Sequence, residues 1–297
     1  MSNPPSPIVH TIFEPVTGTW QYIVADPSSL KAVIIDPVLD FDPCRNAIAT
    51  STADSLLAVV KENGYTVTHL LETHAHADHL TAARYLQTQL PGTPEICIGK
   101  RIVEVQERFA KKYGISEEEY TGVFDNLWED DETFAIGELE GRVVRLPGHT
   151  PDHVGYLIGE NIFCGDSLFD PDVGSARCDF PGGDAHQLFS SVSTLFSLPD
   201  HYKIYTGHDY PPTGIRTEPV PFTTVGEQKA RNKHLKTGTS KEEFVAWRTE
   251  RDSALAEPRL LHQALQVNIR GGRLPAPSTE GDSFLVVPVR IPGGVKL

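Results

Sequence analysis

Thr73-His74-Ala75-His76-Ala77-Asp78-His79 packs three imidazoles and one carboxylate into the six residues from His74 to His79. Neutral imidazole and carboxylate are preferred ligands for zinc or iron, so this density points to a metal centre rather than to a His-rich surface loop. The apolar run Val67-Thr68-His69-Leu70-Leu71 precedes the cluster, and the helix-compatible Leu80-Thr81-Ala82-Ala83-Arg84-Tyr85-Leu86 follows it. The cluster is therefore expected where a buried strand hands over to a helix. Strand ends of α/β sheets are where sites are usually built.

Three positions downstream extend the set. Leu146-Pro147-Gly148-His149-Thr150 places a histidine on a glycine turn, Ile162-Phe163-Cys164-Gly165-Asp166 places an aspartate at the end of a short strand, and Ile204-Tyr205-Thr206-Gly207-His208-Asp209 repeats the device. Each reads apolar run, glycine, ligand. Glycine lets the backbone turn sharply and approach closely, so separate strand ends can converge on one ion. A single Gly-His pair would read as a turn histidine, whereas three such turns after His-x-His-x-Asp-His read as one constellation.

This series, His74, His76, Asp78, His79, His149, Asp166 and His208, resembles the ligand signature of the metallo-β-lactamase superfamily, over about residues 8 to 210. The resemblance implies an αββα sandwich, two mixed sheets face to face with helices outside. The ligand set alone supports a metal-dependent enzyme acting at a polar bond.

Composition narrows the class. The 297 residues can bury a substantial core, and one large domain (8–222) with a C-terminal extension (223–297) is expected. With 40 Asp and Glu against 26 Lys and Arg, the net charge of −14 repels polyanions and argues against nucleic acid as a partner. Cys44, Cys97, Cys164 and Cys178 are scattered without CxxC spacing, which suits a reducing compartment. Met1-Ser2-Asn3-Pro4-Pro5-Ser6-Pro7 has neither a basic n-region nor an apolar h-region, and no stretch approaches 18 apolar residues. A cytoplasmic protein without a membrane span is expected.

The remaining pattern fits a sandwich. Trp20–Val24 and Ala32–Asp36 read as strands, and Ser51–Asn63 as a helix with Ser51-Thr52-Ala53-Asp54 as its capping signal and Gly64 as its stop. A charged helix from Arg101 to Tyr113 ends at Gly114, and Glu117-Glu118-Glu119 reads as a solvated face. Strands follow over Thr133–Ile136 and Glu140–Leu146. Beyond a Pro-rich loop after Asp209, helical patches are expected near Glu227–Leu235, Lys241–Thr249 and Arg259–Ala264, packed on the sandwich rim or at a subunit contact.

Gly174-Ser175-Ala176-Arg177-Cys178-Asp179-Phe180-Pro181-Gly182-Gly183-Asp184, with His208-Asp209-Tyr210, Glu242-Glu243-Phe244 and Leu265-Gln266-Val267-Asn268-Ile269-Arg270, resembles the persulfide dioxygenases, particularly those of proteobacteria and fungi. That resemblance spans nearly the whole chain. It implies one Fe2+ per subunit held by His74, His149 and Asp166, with Zn2+ as the alternative metal. It also implies glutathione persulfide and O2 as reactants, converted to sulfite and glutathione. His76, Asp78, His79 and His208 would then be supporting residues or the remnant of a second metal site. Two imidazoles and one carboxylate leave open positions on iron(II), which suits an oxygenase, whereas zinc is redox-inert. A homodimer or higher homo-oligomer is compatible with this reading.

For the substrate, Arg177 offers a bidentate fork to a glutathione carboxylate or, alternatively, a rim salt bridge, and Tyr210 matches a tyrosine lining the family's glutathione site. Cys178 reads as a packed thiol rather than a redox-sensitive one. In animal members the cysteine of this segment lies two residues before the arginine instead of directly after it, and an arginine stands where this chain has His234, so contacts at the glycyl end are expected to be built differently. His10, His69, His153, His186, His201 and His262 lack ligand context and read as core or surface residues. A glyoxalase II-type hydroxyacylglutathione hydrolase with a binuclear site is the alternative enzyme, and a silent binding module is disfavoured because every ligand position is intact.

Overall fold

The computed structural model describes residues 6–289 and 291. Residues 1–5, the greater part of the segment read above as neither signal nor presequence, and the end of the C-terminal extension lie outside the described residues. The elements run β1 (Ile8–Glu14), β2 (Thr19–Ala25), β3 (Lys31–Ile35), β4 (Val38–Asp42), β5 (Ala47–Ala49), α1 (Ser51–Asn63), β6 (Thr66–Leu71), β7 (Leu80–Thr81), α2 (Ala83–Gln89), β8 (Glu95–Gly99), α3 (Ile102–Tyr113), α4 (Glu117–Tyr120) and β9 (Asn126–Trp128). They continue with β10 (Thr133–Ile136), β11 (Leu139–Arg145), β12 (Val154–Ile158), β13 (Asn161–Phe163), α5 (Ala185–Phe196), β14 (Lys203–Tyr205), β15 (Phe222–Thr224), α6 (Val225–Arg231), α7 (Lys241–Ser253) and α8 (Leu261–Asn268).

Period-2 alternation builds the layers. On β2 the side chains of Trp20, Tyr22 and Val24 join one apolar cluster while Ile23 and Ala25 join another, so this strand is buried on both faces. One mixed sheet has the order β1-β2-β3-β6-β8-β9 and a second the order β10-β11-β12-β13-β14-β15. Between them lie Tyr22, Val33 and Leu71 from the first sheet and Val143, Tyr156 and Phe163 from the second. Leu56, Ile102, Phe109 and Leu265 from helices cover the outer face of the first sheet. Leu188, Val192, Val225 and Phe244 cover the second. This is the expected αββα sandwich.

Local departures from the sequence reading have visible causes. The helix expected from Leu80 begins at Ala83, because Leu80 and Thr81 pair antiparallel with Leu39 and Val38, and the Thr81 hydroxyl accepts the Ala83 N–H at 3.0 Å. The Ser51-Thr52-Ala53-Asp54 capping signal is not used as a side-chain cap. Instead Asp40 reaches across from β4 to accept the Thr52 N–H at 2.9 Å. Gly64 and Gly114 do close their helices in the left-handed conformation. The Glu117–Glu119 run forms the capped turn α4, and Glu119 pairs with the largely buried Arg270 at 2.8 Å rather than only facing solvent. In the C-terminal extension α7 packs against α5, and α8 packs against β7 and α3.

Candidate metal centre

The loops after β6, β11, β13 and β14 meet at one edge of the two sheets. Glycine makes this convergence possible: a Cβ on Gly148 (φ +140°) would strike the Leu188 backbone at 2.3 Å, and one on Gly207 would strike Asp166 Oδ1 at 2.4 Å. One ligand atom each from His74, His149 and Asp166 lies within 4.8 Å of the others. A second group, His76, Asp78 and His79, meets the same limit.

The hydrogen bonds select the ring tautomers. Asp36 accepts from the Thr73 hydroxyl at 2.8 Å, so that hydroxyl has only lone pairs left for His74 Nδ1 at 2.9 Å, which must carry the proton. The lone pair of His74 is thereby placed on Nε2, a buried atom with no hydrogen-bond partner among the described residues. His149 Nδ1 donates to the Arg177 carbonyl at 2.7 Å and His208 Nδ1 to the Gly18 carbonyl at 3.2 Å, which turns the Nε2 lone pair of each into the site. Asp166 Oδ2 is 3.6 Å from His149 Nε2 and 3.5 Å from His208 Nε2, while Asp166 Oδ1 has no hydrogen-bond partner among the described residues. Unpaired buried lone pairs of this kind are costly unless a cation meets them, and the donor set of imidazole and carboxylate fits iron or zinc.

The second group is closed differently. His79 Nδ1 bonds Asp78 Oδ2 at 3.1 Å, and the same oxygen lies 3.2 Å from His208 Nε2. His76 directs Nε2 at Asp36 (3.1 Å) and Glu72 (3.3 Å), leaving its Nδ1, like His79 Nε2, without a hydrogen-bond partner among the described residues.

Electrostatics follow the same division. Burial holds His74 and His153 well below the ordinary histidine value, so both stay neutral. For His76 burial acts in the same sense but is outweighed by the Asp36 and Glu72 carboxylates, and its affinity for a proton rises well above the usual. Burial likewise opposes the charge on Asp78, but His208 and His79 hold its carboxyl well below the usual range.

Several residues that sequence reasoning passed over are part of this construction. His153, read above as core or surface, stacks on His74 at 4.7 Å and accepts the Asp166 N–H at 3.0 Å, fixing both. Asp36 holds Thr73 and His76 from a left-handed backbone at φ +51°, a strained conformation for a non-glycine residue. Asp152 accepts the Ala75 N–H at 2.8 Å, and Asn268 donates to the His76 and His79 carbonyls at 2.8 and 2.9 Å. A usable signal existed for two of them: Asp36 ends an apolar strand, and His153 lies four residues past a ligand turn.

A cavity of about 310 Å³ opens over the centre, lined by Asp78, His149, Asp166, His208, Tyr210 and Arg177 among others. Tyr210 stacks on His208 at 5.6 Å and is half-exposed. The Arg177 fork is engaged by both Asp179 oxygens, at 2.5 and 2.6 Å, and by the Ala256 carbonyl at 2.8 Å, which is the rim salt bridge of the two readings above. Cys178 is buried in the apolar cluster under α5, and burial pushes its thiol up, as suits a packed thiol. His234 is not brought to this cavity: it stacks on Trp247 at 3.6 Å.

With this geometry in place, the family model of the metallo-beta-lactamase superfamily matches residues 15–208. The chain belongs to that superfamily. Its relatives within the superfamily carry different names. A beta-lactamase hydrolase-like protein of Xylella fastidiosa is 46% identical over 96% of this chain, and the chain spans 65% of that protein's length. Glyoxylase B2 of Dictyostelium discoideum is 42% identical, over 92% of this chain and 94% of its own. The mitochondrial persulfide dioxygenase ETHE1 of Homo sapiens is 30% identical over 89% of each. Among solved structures, ETHE1 from Myxococcus xanthus aligns with a TM-score of 0.71 at 30% identity, covering 90% of this chain and all of that one (100%). Superfamily membership and a His/Asp cluster that could hold a metal ion therefore coincide in this chain. No helix among the described residues is long and apolar enough to cross a membrane.

Proposed function

We propose that this chain is a non-haem iron(II) persulfide dioxygenase, with one iron per subunit held by His74, His149 and Asp166. The balanced reaction is glutathione persulfide plus O2 plus water giving glutathione, sulfite and two protons. The observation that carries the reading is the contrast between the two groups of ligand atoms. No hydrogen bond joins His74, His149 and Asp166, and His74 Nε2 and Asp166 Oδ1 lack a hydrogen-bond partner among the described residues, whereas in the second group Asp78 is already bonded to His79. The named persulfide dioxygenase at 30% identity, matched over nearly its full length, supports the same reading.

An iron(II) in a two-histidine, one-carboxylate setting supplies open positions for a sulfur ligand and O2. The chain's residues do the positioning. The Thr73 and Arg177 oxygens hold the His74 and His149 rings, His153 holds the Asp166 backbone, and Phe169 and Tyr210 line the cavity beside them. Arg177 lines the cavity with its charge largely answered by Asp179, so it orients an anionic substrate more than it neutralises one.

The second reading is a hydrolase of the glyoxalase II type with two metals. It is favoured by the unpartnered His76 Nδ1 and His79 Nε2 and by the Dictyostelium relative's name. Metal analysis of protein purified without oxygen, with a side-by-side assay, separates them. One iron per chain and oxygen uptake dependent on glutathione persulfide are expected. Two tightly bound zinc ions with preferential hydrolysis of S-lactoylglutathione would establish the hydrolase.

A further inference from the structure

A second cavity of about 420 Å³ adjoins the first and shares Val16, Thr17 and Arg259 with it. It runs between the β1–β2 turn and the β4–β5 hairpin, and His79, whose Nε2 has no partner, is in its wall. Its apolar lining comes from Val16, Val38, Leu39, Phe41, Pro43 and Ile48, and both Val16 (73%) and Ile48 (39%) are exposed there. The acids around it are already committed. Glu14 accepts from the Val16 and Thr17 backbones, Asp40 from Thr52, and Asp42 from the Cys44 and Arg45 backbones. Arg259, at the junction of the two cavities, has no acidic partner among the described residues.

We infer that the substrate cleft has two arms and that this second arm receives an apolar portion of the substrate, with Arg259 holding an anionic group at the branch point. The substrate class is then a small thiol-derived sulfur compound that carries a carboxylate and an aliphatic arm, of which glutathione persulfide uses only the first cavity. The inference rests on the reading that the reacting sulfur sits at the His74, His149 and Asp166 centre. Three features carry it together: the cavities share Val16, Thr17 and Arg259 as wall residues, the metal-side histidine His79 belongs to both the ligand signature and the second wall, and a cation without an acidic partner among the described residues stands where they meet. An apolar wall without that cation would favour any greasy ligand, and the cation without the wall would favour any anion.

The test uses N-acylcysteines from N-acetyl to N-octanoyl, which supply a thiol, a carboxylate and an aliphatic arm of adjustable length. Binding to the iron-loaded full chain is measured anaerobically by calorimetry. Each methylene entering an apolar site is worth about two- to fourfold in affinity, so the octanoyl member should bind about 50-fold more tightly or better than the acetyl member. Ile48→Gln, at a partly exposed position, should flatten that slope. Arg259→Ala should weaken every member about tenfold while leaving the slope intact, with Arg259→Lys recovering part of the loss. Equal affinities along the series, a slope untouched by Ile48→Gln, or no effect of Arg259→Ala would each overturn the inference. Because binding is read without turnover, these results stand apart from the oxygen-uptake assay that decides the dioxygenase reading.

Discussion

Replacing Thr73 by valine removes one hydroxyl at nearly constant volume and tests how the metal ligands are held. Thr73 is fully buried, and its hydroxyl links Asp36 to His74 Nδ1 through contacts of 2.8 and 2.9 Å. In Thr73→Val the backbone N–H still bonds Asp36 at 2.7 Å, so the loop keeps its anchor. His74, however, loses the acceptor that keeps its proton on Nδ1. A buried donor left unpaired costs about 1–3 kcal/mol. Part of that cost is relieved by moving the proton to Nε2, the nitrogen that would face the ion, so the loss appears in metal binding rather than only in folding. Iron affinity should fall about 10–100-fold, the range typical for residues that orient a ligating histidine. Thr73→Ser, which keeps the hydroxyl, should recover most of it. The assay is anaerobic titration with Fe2+ against a competing chelator, alongside urea unfolding of the metal-free protein. Wild-type iron affinity in Thr73→Val would refute the derivation of the His74 tautomer and the role given to Asp36.

Asp166→Ala should empty the centre, whereas Asp78→Ala should retain close to one iron per chain with affinity reduced by about 10–100-fold; equal losses on elemental analysis would indicate a binuclear site. Asn268→Ala leaves the Thr81 N–H and the His76 and His79 carbonyls without their partner, so urea melts should show a loss of about 3 kcal/mol together with weaker metal retention, and a loss below about 1 kcal/mol would contradict the stapling role of α8. His234 gives a pH signature. Burial, with Lys233 and Arg248 nearby, pushes it down to about 4, so the unfolded chain binds its proton more readily and stability falls as pH drops from about 6.5 toward 4. His234→Phe keeps the ring on Trp247 and should remove about 1 kcal/mol of that acid-side loss, an effect reduced by the partial exposure of the site; parallel stability–pH curves for the two proteins would count against it.

The convergence of the candidate metal ligands was legible because its signals are local. Metal-ligand spacing in His74–His79 and the three glycine turns before His149, Asp166 and His208 each lie within a few residues, and the structure brings all seven side chains together. The sheet strands were legible for the same reason, since alternation of apolar residues over five to seven positions is a short-range pattern. Element starts were less so: Asp40 rather than Ser51 serves the first turn of α1, and pairing with β4 delays α2. In both cases a strand distant along the chain supplies what the local sequence appeared to provide.

By itself, the order of residues determined the ligand types and the αββα layering, because donor type and hydrophobic period are properties of the chain. Only the tertiary structure decided which nitrogen of each histidine faces the site. That choice is made by Asp36 through Thr73, by the Arg177 carbonyl and by the Gly18 carbonyl, groups 28 to 190 residues from the rings they serve, apart from the adjacent Thr73. It likewise decided that Arg177 is spoken for by Asp179, that His234 lies on Trp247 rather than in the cleft, and that Arg259, without an acidic partner among the described residues, stands between two cavities. A side chain's partners depend on which strand ends and helices the packed sheets bring beside it, and sequence proximity carries no record of that.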